Sequence, residues 1–196
     1  MAHRTTPARD LALIAVFAGL TAALGLIPAF YTPLSPSPIT AQTFGPVLAG
    51  ALLGGRRGGL SQVLFLALVA VGLPLLSGGR GGIGVFAGAS VGFLISWPIA
   101  SWLIGRLTYR LGAPYRLGWG ILINVLVGMV VMYALGIPGQ MAFGHLSLPA
   151  AVVANLPYLP GDTLKGVLAA VVAKGVHRAY PGLLPWRGRT PETAAA

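Results

Sequence analysis

The chain is a succession of apolar runs, each close to the length that crosses a bilayer, joined by connections too short to fold on their own. The runs cover about residues 11–30, 41–55, 58–76, 85–107, 117–137 and 160–176. A hydrocarbon core about 30 Å thick takes roughly 20 helical residues, and backbone polar groups inside it must be satisfied internally. The expectation is an all-α membrane protein of six transmembrane helices. The second run is short for a span and is expected to be tilted or shielded by neighbours. Charged residues make up only 8% of the chain, against about a quarter in soluble domains. No room remains for a second folded unit, so 1–196 reads as one integral membrane domain with a core of about 10–178 and short basic tails.

The net charge of +10 suggests nucleic acid only until the basic residues are placed between the runs. With the N-terminus inside, one side holds Arg4, Arg9, Arg56, Arg57, Arg106, Arg110, Arg116, Lys174, Arg178, Arg187 and Arg189, which is eleven of the thirteen Lys and Arg. Such an excess marks the cytoplasmic side. Both termini are therefore expected inside, at the cell membrane, with no nucleic-acid partner. Tyr109, Tyr115, Trp119, Tyr180 and Trp186 are expected at the inner interface, and Phe30, Tyr31 and Tyr158 at the outer one. A charged start before an apolar run also fits a secretory signal, but the first run is long and no small-x-small cleavage site precedes polar sequence.

Irregular sequence gathers on the outer side. Pro28, Pro33, Pro36 and Pro38 interrupt the first connection, 78–84 is rich in glycine, and 138–159 carries no Asp, Glu, Lys or Arg and is broken by Pro149, Pro157 and Pro160. A short helix is expected near 148–154. Pro98 is expected to kink the fourth run. Asp162 stands at the same outer end. Of the three acidic residues in the chain it alone lies away from the termini, and Lys165 follows at a spacing that puts both on one helical face. Ionisable groups at membrane depth mark functional sites by default; the plainer reading is a self-neutralising pair that anchors a helix end. Ala15, Gly19 and Ala23, and likewise Ala18 and Ala22, form smooth stripes on the first run that let another helix approach closely.

Several separated motifs give the chain a resemblance to the BioY family, the biotin-specific S components of energy-coupling-factor (ECF) transporters. The stretch Pro38-Ile39-Thr40-Ala41-Gln42-Thr43-Phe44-Gly45, then Leu48 to Gly54 with Arg56-Arg57-Gly58, is similar to that family, as are Gly72-Leu73-Pro74, the loop from Gly78 to Gly84, and Pro160-Gly161-Asp162 with Lys165. After the loop, Gly88-Ala89-Ser90-Val91-Gly92-Phe93 departs from the family's usual proline- and glycine-bearing sequence. The resemblance covers about 11–176. It implies a substrate-binding subunit, not an enzyme, that captures biotin outside and works with a transmembrane T component and two cytoplasmic ATPases. No G-x-x-x-x-G-K-[ST] occurs here to hold ATP. The small-residue stripes, with Ala15, Ala18, Gly19 and Ala22 as candidates, are similar to the surface that docks the T component.

Biotin offers a carboxylate, a ureido ring with two N–H donors and a carbonyl, and apolar remainder. Asp162 suits the N–H groups and Lys165 the carboxylate, with the outward N-terminus of the last helix adding positive potential. Gln42, Thr43 and backbone around Gly79, Arg80 and Gly82 are expected to complete the polar contacts. Phe44, Phe86, Tyr133 and Phe143 are candidates for the apolar walls. No cofactor or metal is expected: cysteine is absent, and His3 and His177 lie at the other end from Asp162 and His145. An intramembrane hydrolase needs a nucleophile–base pair, paired carboxylates or a metal set, and an S component for another vitamin shares the architecture without Gln42-Thr43-Phe44-Gly45.

Overall fold

A computed structural model describes residues 7–184. Arg4, Trp186, Arg187, Arg189 and His3, used above, lie outside these. The described chain is helical, with isolated bridges between Phe30 and Ile39 and between Leu76 and Arg80. The helices are α1 (Pro7–Leu24), α2 (Phe44–Ala70), α3 (Val91–Leu111), α4 (Leu117–Leu122), α5 (Gly128–Gly144), α6 (Leu148–Asn155) and α7 (Tyr158–Ala179). A π-helical segment, Ile123–Val127, joins α4 to α5 without a break. Three stretches are long and apolar enough to cross a membrane on length and composition: α1, α3 and Leu117–Gly144.

The element that sets the architecture is the break inside α2 at Gly54, whose φ of 79° and ψ of 173° are not helical. Positive φ is cheap only for glycine. The break folds the two limbs, 44–53 and 55–70, back on each other. A Cβ placed on Gly58 would lie 2.9 Å from the Ala49 carbonyl oxygen, whereas nine residues of continuous helix separate two positions by roughly 13 Å. Thr21 of α1 confirms the fold-back, since it meets both limbs at one level. A Cβ on Gly45 would lie 2.4 Å from its Oγ1, and Gln62 Nε2 donates to the same atom at 3.2 Å. The two runs read around Gly54-Gly55 are thus the two limbs of a helical hairpin.

Both limbs pack on α3, and α3 packs in turn on α5, while α7 lies against α2 and α4. Small residues make these contacts close. A Cβ on Gly92 of α3 would sit 1.9 Å from the Leu135 carbonyl oxygen of α5, so only glycine allows that approach. The core between the helices is formed by Leu48, Leu52, Phe65, Trp97, Ile104 and Met132 with their neighbours, and Phe65 and Trp97 meet at a ring separation of 5.7 Å. α1 is peripheral, burying only Ala18 and Thr21.

The two ends of the bundle differ. At one end Arg57 of α2 pairs with Asp10 of α1 at 2.9 Å, Tyr109 of α3 donates to the Leu52 carbonyl at 3.2 Å, and His177 Nε2 of α7 meets the Ala51 carbonyl at 2.9 Å. These partners cap the carbonyls that Gly54 frees. The other end carries the connections 25–43 and 71–90 and the N-terminus of α7. Here Gln42, 1% exposed, donates to the carbonyls of Thr21 (3.1 Å) and Leu75 (2.9 Å) and accepts from the Ser77 amide (2.8 Å). One buried amide thus ties α1 and both connections together.

The helix limits depart from the sequence reading at the end of the fifth run. The fifth run continues through Pro138 to Gly144, which membrane helices tolerate when neighbours satisfy the freed backbone groups. The residues after the turn at His145, φ 54°, form α6 with Ser147 Oγ accepting from the Ala150 amide, matching the short helix expected there.

Candidate functional site

A cavity opens at the end of the bundle opposite the Gly54 turn. Its volume is about 50 Å3, narrow beside the 300–1,000 Å3 that ligand pockets commonly hold. The walls are Leu76, Phe93, Leu94, Trp97 and Met132, and the polar groups are Thr43, Arg80, Ser90, Tyr133, Tyr158, Asp162 and Lys165. Apolar walls with few polar groups suit a small organic ligand.

Asp162 and Lys165 form the polar floor. They stand one turn apart on α7, with Nζ 3.0 Å from Oδ1 and side-chain exposures of 11% and 17%. The spacing alone predicts the pair; the partners from elsewhere do not follow from it. Lys165 Nζ also donates to the Thr40 carbonyl at 2.7 Å and to Thr43 Oγ1 at 2.8 Å, so its three donors are engaged. Thr43 Oγ1 lies 3.3 Å from Asp162 Oδ1, and Tyr133 donates to Oδ2 at 2.8 Å. The carboxylate therefore takes three contacts and keeps acceptor capacity, since its two oxygens offer about four sites. Lys165 serves the protein, and Asp162 faces the cavity as an acceptor.

Arg80 is the other cationic side chain on the cavity. Its backbone is held by reciprocal bonds with Leu76 at 3.0 and 3.2 Å, and its Nε donates to the Ser77 carbonyl at 3.2 Å. No ion pair to it is found among the described residues. The glycines around it give the loop its shape, Gly78, Gly79 and Gly82 all having positive φ.

Of the residues singled out in the sequence, Asp162, Lys165, Gln42, Thr43, Arg80 and Tyr133 come together on the cavity. Gln42 reaches it, but both its amide protons and its oxygen serve the backbone bonds described above. Phe44 and Phe86 pack against the core instead of the cavity. Phe143 is 48% exposed on α5, and Gly79 and Gly82 shape the loop without lining the space. On α1, Ala18 is 2% exposed and lies in the core with Ala22 against it, so that stripe packs within the chain. Ala15 and Gly19 remain outward, and nothing lies within 4 Å of a Cβ placed on Gly19.

Sequence reading missed a polar latch behind the cavity. Tyr158, expected in the outer aromatic belt, is buried; its hydroxyl meets Ser35 Oγ at 2.7 Å and donates to the Ser37 carbonyl. Gln140 donates to Ser35 Oγ at 3.0 Å, Asn155 donates to Gln140 Oε1 at 2.6 Å, and Ser90 donates to Ser37 Oγ at 3.2 Å. The latch pins the proline-rich connection to α5, α6 and α7. Phe93 stacks on the Tyr158 ring at 6.2 Å and meets Tyr133 edge-on at 6.4 Å, which fixes both phenols. The signal available was the set of polar residues inside apolar sequence: Gln140, Asn155 and the Ser-Pro repeats.

A helical membrane protein with a basic end and an apolar-walled cavity under loops at the other is the class defined by this arrangement. The chain belongs to the BioY family, whose family model matches residues 1–182. It is 41% identical over 185 residues to a biotin transporter BioY of Rhizobium etli, covering 91% of this chain and 98% of that one. It is 44% identical over 170 residues to a probable biotin transporter BioY of Bacillus subtilis, covering 87% and 91%. The fold matches a crystal structure of the S-component for biotin from an ECF-type ABC transporter with a TM-score of 0.84 and 30% identity, over 89% of this chain and 95% of that one.

Proposed function

We propose that this protein is the biotin-capturing S component of an ECF transporter, binding biotin in the cavity floored by Asp162 and Lys165. The observation that carries the reading is one cation with no ion pair among the described residues and one carboxylate with spare acceptor capacity on the same apolar-walled space. Asp162 accepts from a ureido N–H, with Lys165, Thr43 and Tyr133 holding it in place. Arg80 meets the biotin carboxylate, because Lys165 has no donor left for it. Phe93, Leu94 and Met132 cover the thiophane ring and the aliphatic chain. The narrowness of the space, about 50 Å3 for water centres, means that binding moves the loop side outward.

The chain crosses the plasma membrane six times, through α1, the two limbs of α2, α3, the stretch from α4 to α5, and α7, as a single domain. Both termini are cytoplasmic. The basic residues beside the Gly54 turn and at the ends of α3 and α7 support that orientation, and it puts the cavity outside. The exposed stripe of Ala15, Gly19 and Ala23 on α1 receives the T component, which couples this subunit to two ATPases. The direct test is equilibrium binding of radiolabelled biotin to the purified protein in detergent. Saturable binding of one biotin per chain is expected; no binding, with another vitamin bound instead, overturns the substrate.

A further inference from the structure

We infer that Trp97 reads the ureido carbonyl of the ligand through its indole N–H, an inference that rests on the proposed biotin site. Trp97 lies on α3, is 3% exposed and lines the cavity. Its Nε1 is a buried donor with no acceptor among the described residues. Indole nitrogen is a donor only, and a buried donor left unpaired costs about 1–3 kcal/mol. Of the residues lining the cavity, it is the only one with such an orphaned atom among those described.

Taking the cavity's other donors in turn leaves the same conclusion. Lys165 has its three protons on Thr40, Thr43 and Asp162. The Tyr133 hydroxyl donates to Asp162, that of Tyr158 to the Ser37 carbonyl, and that of Ser90 to Ser37 Oγ. Gln42 has both amide protons on backbone carbonyls. Beside the rotatable hydroxyls of Ser37 and Thr40, which can accept as well as donate, two donor-only groups remain: the guanidinium of Arg80, suited to an anion, and the neutral N–H of Trp97, which is buried and has no partner among the described residues. A cyclic urea presents donors and an acceptor together, so a site that meets only its N–H groups leaves its carbonyl dry and unpaired. Trp97 supplies the missing donor from the apolar wall. The indole ring itself is held by the contact with Phe65, so the N–H is preorganised and its pairing with the ligand carries little ordering cost.

The test pairs a protein change with a ligand change. Trp97→Phe keeps an aromatic ring and removes the N–H, and the 2-thiono analogue of biotin replaces the carbonyl by a weaker acceptor. Binding of both ligands to wild-type and Trp97→Phe protein in detergent gives two selectivity ratios. The wild type is expected to prefer biotin over the thiono compound by a ratio that falls roughly two- to tenfold in Trp97→Phe, the range for one neutral hydrogen bond. A packing role lowers both affinities in common and leaves the ratio unchanged, which overturns the assignment. A second measurement stands even if Trp97→Phe fails to fold. In a protein whose other three tryptophans, Trp102, Trp119 and Trp186, are Phe, the 15N-labelled indole N–H resonance of Trp97 should move downfield when biotin binds. A resonance that stays in place at saturation overturns the inference. Wild-type protein that binds no biotin sinks the proposed function, whereas biotin binding with an unchanged ratio and resonance sinks the Trp97 role alone.

Discussion

Replacing Arg80 by Gln separates recognition of the ligand's charge from everything else this loop does. Among the described residues the side chain has one bond, Nε to the Ser77 carbonyl at 3.2 Å, and the backbone keeps its own reciprocal bonds to Leu76. Losing the Nε bond loosens the loop for every ligand equally. Losing the guanidinium removes a charge-assisted bond only from a ligand that carries a carboxylate. Bonds to charged groups contribute about 1.5–3 kcal/mol, which is roughly a tenfold to hundredfold change in affinity. Competition binding with biotin and biotin amide reads the difference directly. Arg80→Gln should weaken biotin by that factor relative to its effect on the amide. An equal loss for both ligands would show that Arg80 only shapes the loop, and a selective loss in Lys165→Gln instead would return the carboxylate to Lys165.

Other perturbations test the remaining parts. Lys165→Gln leaves Asp162, Thr43 and the Thr40 carbonyl without their shared donor; breaking a fully buried pair costs about 3–5 kcal/mol, and at 17% and 11% exposure a lower melting temperature and poorer binding of biotin and its amide alike are expected. The double variant Asp162→Asn with Lys165→Gln should regain thermal stability but not biotin affinity; native affinity in that variant removes both residues from the site. Gln42→Leu orphans the Ser77 amide and two carbonyls, each worth about 1–3 kcal/mol when left dry, and should lower the melting temperature measured in detergent. Gly19→Leu on the exposed stripe of α1 should leave biotin binding by the purified subunit intact and reduce energised uptake, since close helix approach needs small side chains; equal loss of binding would place that face within the subunit's own packing.

The apolar runs were legible because the bilayer sets their length, and the Asp162–Lys165 pair was legible because a carboxylate in apolar sequence stands out. Gly54-Gly55 marked the end of one run, yet only the geometry shows a hairpin whose limbs share Thr21. The continuation of α5 through Pro138 was illegible, since local sequence signals a break there and tertiary neighbours decide otherwise. The π-helical segment Ile123–Val127 has no local signature at all; it carries Asn124, whose Nδ2 donates to the Gly166 carbonyl of α7 at 3.3 Å. The roles within the site escaped sequence reading for a related reason. Whether Lys165 is free for a ligand depends on a carbonyl and a hydroxyl more than 120 positions away in the chain, and whether Trp97 has an acceptor depends on the packing of three helices. Residue type alone points to Phe44, Phe86 and Phe143, whereas packing sets Phe44 and Phe86 against the core and leaves Phe143 exposed.

The central claim is that biotin occupies this cavity from outside, and a cysteine at Ser90 tests it most directly. Ser90 lines the cavity, and the native chain has no cysteine to confuse the readout. In intact cells a small membrane-impermeant methanethiosulfonate should modify Ser90→Cys, and saturating biotin should block that modification. Labelling that proceeds at the same rate with biotin bound, or that occurs only after the membrane is opened, would contradict the account.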